Sequence, residues 1–240
     1  MKLSSLSDTF RRVKPTPACG AVIVAAGTAS RMGGIDKIMA DLGGRPVIRR
    51  TLQPFLDCPG IREIVIVTRP DLLGPITELC REYDKVRAVI EGGASRQESV
   101  KLGLAALSEK TKLVAVQDGA RPLVTWQVID RTVRAAHSYG AAAPAIPVKD
   151  TIKTVQGGIV INTPDRSRLQ AVQTPQVFDL DLLKGALARA EKNGDQVTDD
   201  CSAVELMGMS VRIVEGDERN MKVTTPLDLK IAELLLEENK

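Results

Sequence analysis

Short apolar runs that alternate with helical patterns limit the folds open to this chain more than any other feature. Residues 21–26 (AVIVAA) form an unbroken apolar run of strand length, and 64–68 (IVIVT), 86–90 and 113–117 repeat the theme. A strand that is apolar on both faces belongs in a sheet covered on both sides. Residues 141–147 (AAAPAIP) predict a further strand, although proline weakens ladder bonding. Between these runs, 47–56, 72–82, 95–107 and 127–138 carry helical patterns. That order means βαβ units, a mainly parallel sheet and right-handed crossovers. Helix starts are legible as well. Ser95 with Glu98 makes a capping box, and Thr225-Pro226 with Asp228 opens the last helix. The expected class is α/β with a Rossmann-like, mainly parallel sheet. One domain is expected over 20–240, preceded by a disordered or extended tail over 1–19.

One segment breaks the alternation. From 149 to 178, Ile, Val and Thr alternate with polar residues around Gly157-Gly158, which is a β-hairpin signature. A hairpin that leaves an α/β core exposes its edges unless something pairs with them. Two readings fit: a dimerisation arm at about 149–172, or a flap packed on its own subunit.

Composition narrows the function. Aromatic residues make up 2% of the 240-residue chain, so the core is aliphatic and stacking platforms for single-stranded nucleic acid are not expected. A net charge of +3 is too small for a DNA-binding surface and suits anionic small molecules in a local site. Cys19, Cys58, Cys80 and Cys201 form no CxxC pair, and His137 is the single histidine. A zinc or redox motif is therefore not expected, and a reduced, cytoplasmic setting is. No apolar run reaches the roughly 20 residues of a membrane span.

Four loops carry the charged and small residues that chemistry needs. The first strand ends in Ala25-Ala26-Gly27, followed by Arg31 and Lys37. Small residues there let backbone N–H groups approach phosphate oxygens, and the two cations suit a phosphoryl group gaining charge. Neither the P-loop pattern nor the dinucleotide fingerprint occurs. The second loop brings Gly92, Gly93, Arg96 and Ser99 to the start of a capped helix. The third places Asp118 and Arg121 after the fourth strand, where an acid suits Mg²⁺ or a substrate hydroxyl and an arginine suits a phosphate. The fourth places Lys222 before the last helix. Taken singly, each has a bland alternative: a flexible turn, a surface cation, or an Asp–Arg brace. All four fall at strand ends or helix starts, which the topology gathers on one rim.

Together these segments resemble the 2-C-methyl-D-erythritol 4-phosphate cytidylyltransferases of the non-mevalonate isoprenoid pathway. The matching pieces are AAG…RM…K (25–37), GG-x-x-R-x-x-S-V (92–100), D-x-ARP (118–122), DT (150–151), DR (165–166), QTPQ-x-F (173–178), TD (198–199) and N-x-KVT-x-P (220–226). The resemblance implies a nucleotidyltransferase-type sheet with a protruding β-arm. It implies transfer of a cytidylyl group from CTP to the sugar-alcohol phosphate, with Mg²⁺ bridging the triphosphate. By similarity, Arg31 and Lys37 stabilise the transition state, and Arg166 and Lys222 position the acceptor. Asp118, Arg121 and Thr151 also contact that substrate, and Asp118 is the one candidate carboxylate for the metal. Ala25, Ala26, Gly27, Gly93, Arg96 and Ser99 hold the cytidine. The resemblance further implies a homodimer with exchanged arms, in which Arg166 reaches the neighbouring subunit's site.

The chain departs from the family pattern at Ala29, at Asp36 and Ile38 flanking Lys37, and at Gly119. The rival readings are a ribitol-5-phosphate cytidylyltransferase, a dinucleotide oxidoreductase and a non-catalytic nucleotide-binding relative. A phosphate monoester is already an anionic nucleophile. Alignment and charge neutralisation, rather than a general base, are therefore the tasks such a site must perform.

Overall fold

The computed structural model describes residues 17–27 and 36–237. In chain order it runs β1 (Cys19–Ala25), α1 (Val47–Asp57), β2 (Ile61–Thr68), α2 (Pro70–Cys80), β3 (Val86–Glu91), α3 (Arg96–Ala106), β4 (Leu113–Asp118), α4 (Trp126–Tyr139) and β5 (Ala141–Pro147). Then come β6 (Thr154–Gln156), β7 (Ile159–Asn162), a 3-10 turn (Arg166–Arg168), β8 (Gln170–Val172), β9 (Gln176–Asp179), α5 (Leu180–Asn193), α6 (Asp200–Leu206), β10 (Arg212–Glu215) and α7 (Pro226–Glu237). The main sheet has the order β10-β5-β9-β4-β1-β2-β3, with β8 added beside β5. β1 is parallel to both β2 and β4, and β10 is parallel to β5. β9 lies antiparallel between β4 and β5. The fold class expected from sequence, a mainly parallel α/β sheet, is the one observed.

The alternation of β1 explains the layering. Ala21, Ile23 and Ala25 join Ile48, Leu52 and Phe55 of α1, Ile76 of α2 and Val128 and Val133 of α4 in one core. Val22 points the other way, into a second core with Val100 and Leu104 of α3, Leu183 and Leu187 of α5 and Val204 of α6. Each face of the sheet is thus covered, which is why its central strands β1, β2 and β4 are nearly continuous apolar runs. α3 sits close: a Cβ at Gly103 would come within 2.4 Å of Val22 Cγ1. A third cluster packs Val223 and Ala232 with Leu42, Val47 and Leu123, anchoring the segment before α7 to the loops of the rim.

The sequence reading needs correction at several boundaries. β1 begins at Cys19, so the expected tail limit of 19 falls inside a strand; Cys19 is 1% exposed and its N–H bonds to Gly60 O. The hairpin read over 149–178 is only β6 and β7, joined by Gly157 and Gly158 at φ 56° and 80°. Those positive angles are what a tight hairpin turn requires of its two central residues. β8 and β9 instead pair antiparallel within the main sheet, so the arm limit of 172 also lies in the sheet. Among the described residues no helix is long and apolar enough to cross a membrane.

Candidate active site

β1 connects through α1 to β2 on one side, while its other neighbour is β4. The strand order reverses there, and a crevice opens beyond the carboxyl ends at such a point. A cavity of about 340 Å³ occupies it. Ala25, Ala26 and Gly27 line it from the end of β1 and just beyond, and Gly93, Arg96 and Ser99 from the loop before α3 and its first turn. All six residues expected to hold a nucleotide therefore meet at one cavity. Lys37, Asp118 and Lys222 line it too, so among the described residues its wall carries three cations and one acid.

Local structure explains each placement. Gly92 lets the loop after β3 close on β1, since a Cβ there would lie 2.5 Å from the Ala26 Cβ. Gly93 N–H donates to Ser99 Oγ at 3.2 Å, and that hydroxyl donates to Ser95 O at 2.9 Å. Ser95 caps α3 as expected, accepting from Glu98 N–H at 3.0 Å. Glu98 accepts from Ala94 N–H at 2.7 Å, one residue before the cap, so the reciprocal half of the box is displaced. Lys37 Nζ lies 3.8 Å from where a Cβ on residue 27 would sit, so its ammonium reaches the end of β1. Arg31 lies outside the described residues.

Asp118, the last residue of β4, is the hub. Its Oδ2 lies 2.8 Å from Lys222 Nζ and 3.7 Å from Arg121 Nε, and its Oδ1 lies 3.7 Å from Arg96 Nε. Burial pushes its carboxyl up, but Lys222, Arg96 and Arg121 outweigh burial and leave it below the usual carboxylate range. Its N–H donates to Thr174 Oγ1 at 3.1 Å, and that hydroxyl donates to Gln117 Oε1 at 2.9 Å. Lys222 is held in reach by the buried Asn220, whose Nδ2 donates to Thr174 O at 2.9 Å, and by Val223 N–H donating to Ala120 O at 2.8 Å. Arg121 Nη1 donates to Asn220 O at 2.6 Å. Its buried Nε makes no hydrogen bond.

A smaller cavity of about 150 Å³ adjoins the first, lined by Arg121, Gln173, Thr174, Gln176, Thr198 and Asp199 as well as by Arg96, Asp118 and Lys222. The last three therefore form a wall common to both cavities. Arg166 and Thr151 line neither one. Both are exposed, and Arg166 Nη1 donates to Lys149 O at 2.6 Å.

Sequence reasoning missed Asp200. It is 1% exposed at the start of α6, and its Oδ2 accepts from Arg96 Nη2 at 2.8 Å. Burial lowers the Arg96 guanidinium, but Asp200 and then Asp118 outweigh it and keep it firmly charged. Burial raises Asp200 above the usual carboxylate range against the pull of Arg96, and Asp118 and Asp199 add to the rise. The TD pair at 198–199 was the available signal, but nothing local ties it to a residue in α3.

An acid whose folded-state pKa is raised binds its proton more readily folded than unfolded, so stability falls as pH rises from the unfolded value toward the folded one. Arg96→Ala removes the compensating charge and lifts Asp200 further. It is expected to cost about 3 kcal/mol at pH 7, the scale of a broken buried pair, and much less near pH 4, where an unfolded aspartate of pKa about 3.9 is itself half protonated. Urea unfolding at the two pH values measures this. An equal loss at both would contradict the burial argument.

Comparison with known proteins gives a consistent result. The family model described as 2-C-methyl-D-erythritol 4-phosphate cytidylyltransferase matches residues 19–238. A protein of that name from Geobacillus thermodenitrificans is 47% identical over 219 residues, covering 90% of this chain and 96% of its own. Another, from Caldanaerobacter subterraneus, is 42% identical over 225 residues, covering 90% and 97%. Among solved structures, 4-diphosphocytidyl-2C-methyl-D-erythritol synthase from Anaerococcus prevotii superposes with a TM-score of 0.84 at 30% identity, covering 92% of this chain and 99% of its own. The Thermus thermophilus cytidylyltransferase gives 0.75 at 34%, covering 90% and 98%.

Proposed function

The chain belongs to the 2-C-methyl-D-erythritol 4-phosphate cytidylyltransferase family, and we propose that its two adjoining cavities divide that reaction between them. The enzyme transfers the cytidylyl group of CTP to 2-C-methyl-D-erythritol 4-phosphate, giving 4-diphosphocytidyl-2-C-methyl-D-erythritol and pyrophosphate in isoprenoid biosynthesis. The larger cavity takes CTP: Ala25 to Gly27 and Gly93 present backbone and small side chains, Arg96 and Ser99 meet the nucleoside, and Lys37 faces the triphosphate. The smaller cavity takes the acceptor, its phosphate against Lys222 and Arg121 and a hydroxyl toward Asp118. The observation that carries this reading is the shared wall of Arg96, Asp118 and Lys222. It sets an anion in one cavity beside an anion in the other.

The acceptor oxygen attacks the α-phosphorus of CTP, and pyrophosphate leaves with the electron pair of the broken bond. No side chain need take a proton, because the acceptor phosphate is already ionised. Lys37 and Arg31 offset charge that grows on the transferring group, while Lys222 brings the acceptor close despite its repulsion from the triphosphate.

Among the described residues, no group of three His, Cys, Asp or Glu gathers as a metal cage. Asp118 is the single acid among the described residues on the larger cavity's wall and already faces three cations. That donor set fits a Mg²⁺ carried mainly by triphosphate oxygens with at most one protein carboxylate, as Mg²⁺ commonly binds. Such an ion would neutralise triphosphate charge.

The enzyme acts as a homodimer through exchanged β-arms, with Arg166 of the partner subunit and Thr151 of the partner subunit completing the acceptor side. Exposed apolar residues on the arm support this: Val155, Ile159, Val160 and Ile161 are 52–71% exposed. Its four cysteines, all buried and free, suit the cytoplasm.

Pyrophosphate release from CTP and Mg²⁺ with each sugar phosphate in turn tests the assignment. Turnover with methylerythritol phosphate and none with ribitol 5-phosphate is expected. The reverse would reassign the acceptor, and no turnover with either would favour a non-catalytic relative.

A further inference from the structure

Lys37 enters the larger cavity from a turn whose start is tied down by side chains outside that cavity. Asp36 Oδ1 accepts from Ile38 N–H at 2.8 Å and from Met39 N–H at 3.1 Å. Its backbone carbonyl accepts from Ala40 N–H at 2.8 Å. Its other oxygen, Oδ2, pairs with Arg69 Nη2. Arg69 follows the last residue of β2, so the contact fastens the turn to the sheet itself. The arginine is held in turn by Asp71, which accepts from Nε and Nη2 at 3.0 Å each. Downstream, Ile38 is 1% exposed in the main core, and its carbonyl accepts from Ile48 N–H at 3.0 Å. Lys37 thus sits between a buried anchor on one side and a charged staple on the other.

We propose that Asp36 and Arg69 are positioning residues that fix the direction from which Lys37 meets the triphosphate. Neither residue lines the larger cavity; the pair acts through the backbone of the turn. Its geometry goes beyond what closing a turn requires. One carboxylate oxygen satisfies two amides, and the other is clamped to an arginine that is itself braced. Burial raises the Asp36 carboxyl, but Arg69 and the two amides outweigh it, so the carboxylate stays charged and the staple closed. The inference rests on the reading of Lys37 as the group that faces the triphosphate.

A double-mutant cycle tests it, in the full-length enzyme with CTP, Mg²⁺ and methylerythritol phosphate. Asp36→Ala is expected to lower kcat about tenfold, with each KM changed less than about threefold, because an ångström-scale misplacement acts on the step rather than on binding. Asp36→Asn keeps an acceptor oxygen for the two amides and is expected to recover most of that loss. Arg69→Ala leaves the amide bonds in place and gives a smaller loss in kcat. In a Lys37→Ala background, adding Asp36→Ala is expected to cost nothing more. An equal loss in both backgrounds, or an effect confined to KM, overturns the proposal. If Lys37→Ala alone leaves kcat unchanged, the reading of Lys37 fails, and the staple's role fails with it. Thermal unfolding of each variant separates these outcomes from loss of fold.

Discussion

Lys222→Ala is expected to lower kcat/KM for the sugar phosphate by roughly 10²–10³, the scale of losing one preorganised electrostatic contact. Among the described residues three cations border the smaller cavity, and two are committed elsewhere. Arg96 is held by Asp200 at 2.8 Å, and Arg121 donates to Asn220 O at 2.6 Å. Lys222 is also the most exposed of the three, its side chain 40% accessible against 31% for Arg96 and 13% for Arg121. It is therefore the charge best able to turn from Asp118 toward an arriving phosphate. The larger cavity keeps Lys37 and Arg96 after the truncation, so CTP affinity is expected to change by less than about threefold. Folding is expected to survive as well. The Lys222–Asp118 pair is partly solvated and worth under about 1 kcal/mol, and Asp118 still faces two arginines at 3.7 Å. Steady-state kinetics, calorimetry with CTP and thermal unfolding read the three quantities. A loss of CTP affinity as large as the loss of acceptor affinity would move Lys222 to the triphosphate side.

The second large effect concerns the arm. If the proposed arm-exchanged dimer forms, Arg166→Ala and Lys37→Ala enzymes are each expected to lose about 10²-fold in activity, the cost of a misplaced or missing electrostatic contact. Mixing the two after subunit exchange is expected to restore about a quarter of wild-type activity. Half the dimers are then mixed, and one of the two sites in each mixed dimer is intact, as a two-fold assembly requires. Arg166 lines neither cavity within one chain, which is why the complementation is decisive. No recovery would mean that each site is built from one chain. Replacing Ile159, 71% exposed, and Ile161, 58% exposed, with Asp is expected to yield a monomer in sedimentation and to abolish activity together with dimerisation.

The strands that build the rim were legible because burial on both faces leaves a mark every residue carries. β1, β2 and β4 read as near-continuous apolar runs, and the first two loops hold small residues where a strand must give way to a ligand. The hairpin turn was legible for the same kind of reason: Gly157 and Gly158 adopt positive φ. β8 and β9 were not. They have three and four residues, shorter than a pattern needs, and β9 lies buried between two strands with no alternation to show it. Their antiparallel insertion turned what read as one long arm into a short hairpin and two sheet strands.

The site divides along the same line. The residues that face the cavities are those whose position at a strand end or helix start could be counted along the chain, and Arg96, Ser99, Asp118 and Lys222 all arrive where that counting put them. The contacts that brace these groups come from far along the chain. Asp200 reaches Arg96 from 104 positions away, Thr174 reaches Asp118 from 56, and Arg69 reaches Asp36 from 33. By itself the sequence determined the parallel strands, the rim they end on and the charged residues gathered there, because periodicity and strand-end placement are local. Only the tertiary structure decided which buried carboxylate, amide or hydroxyl braces each charged group. A hydrogen bond between distant segments leaves no spacing to read, and burial alone makes its partner obligatory.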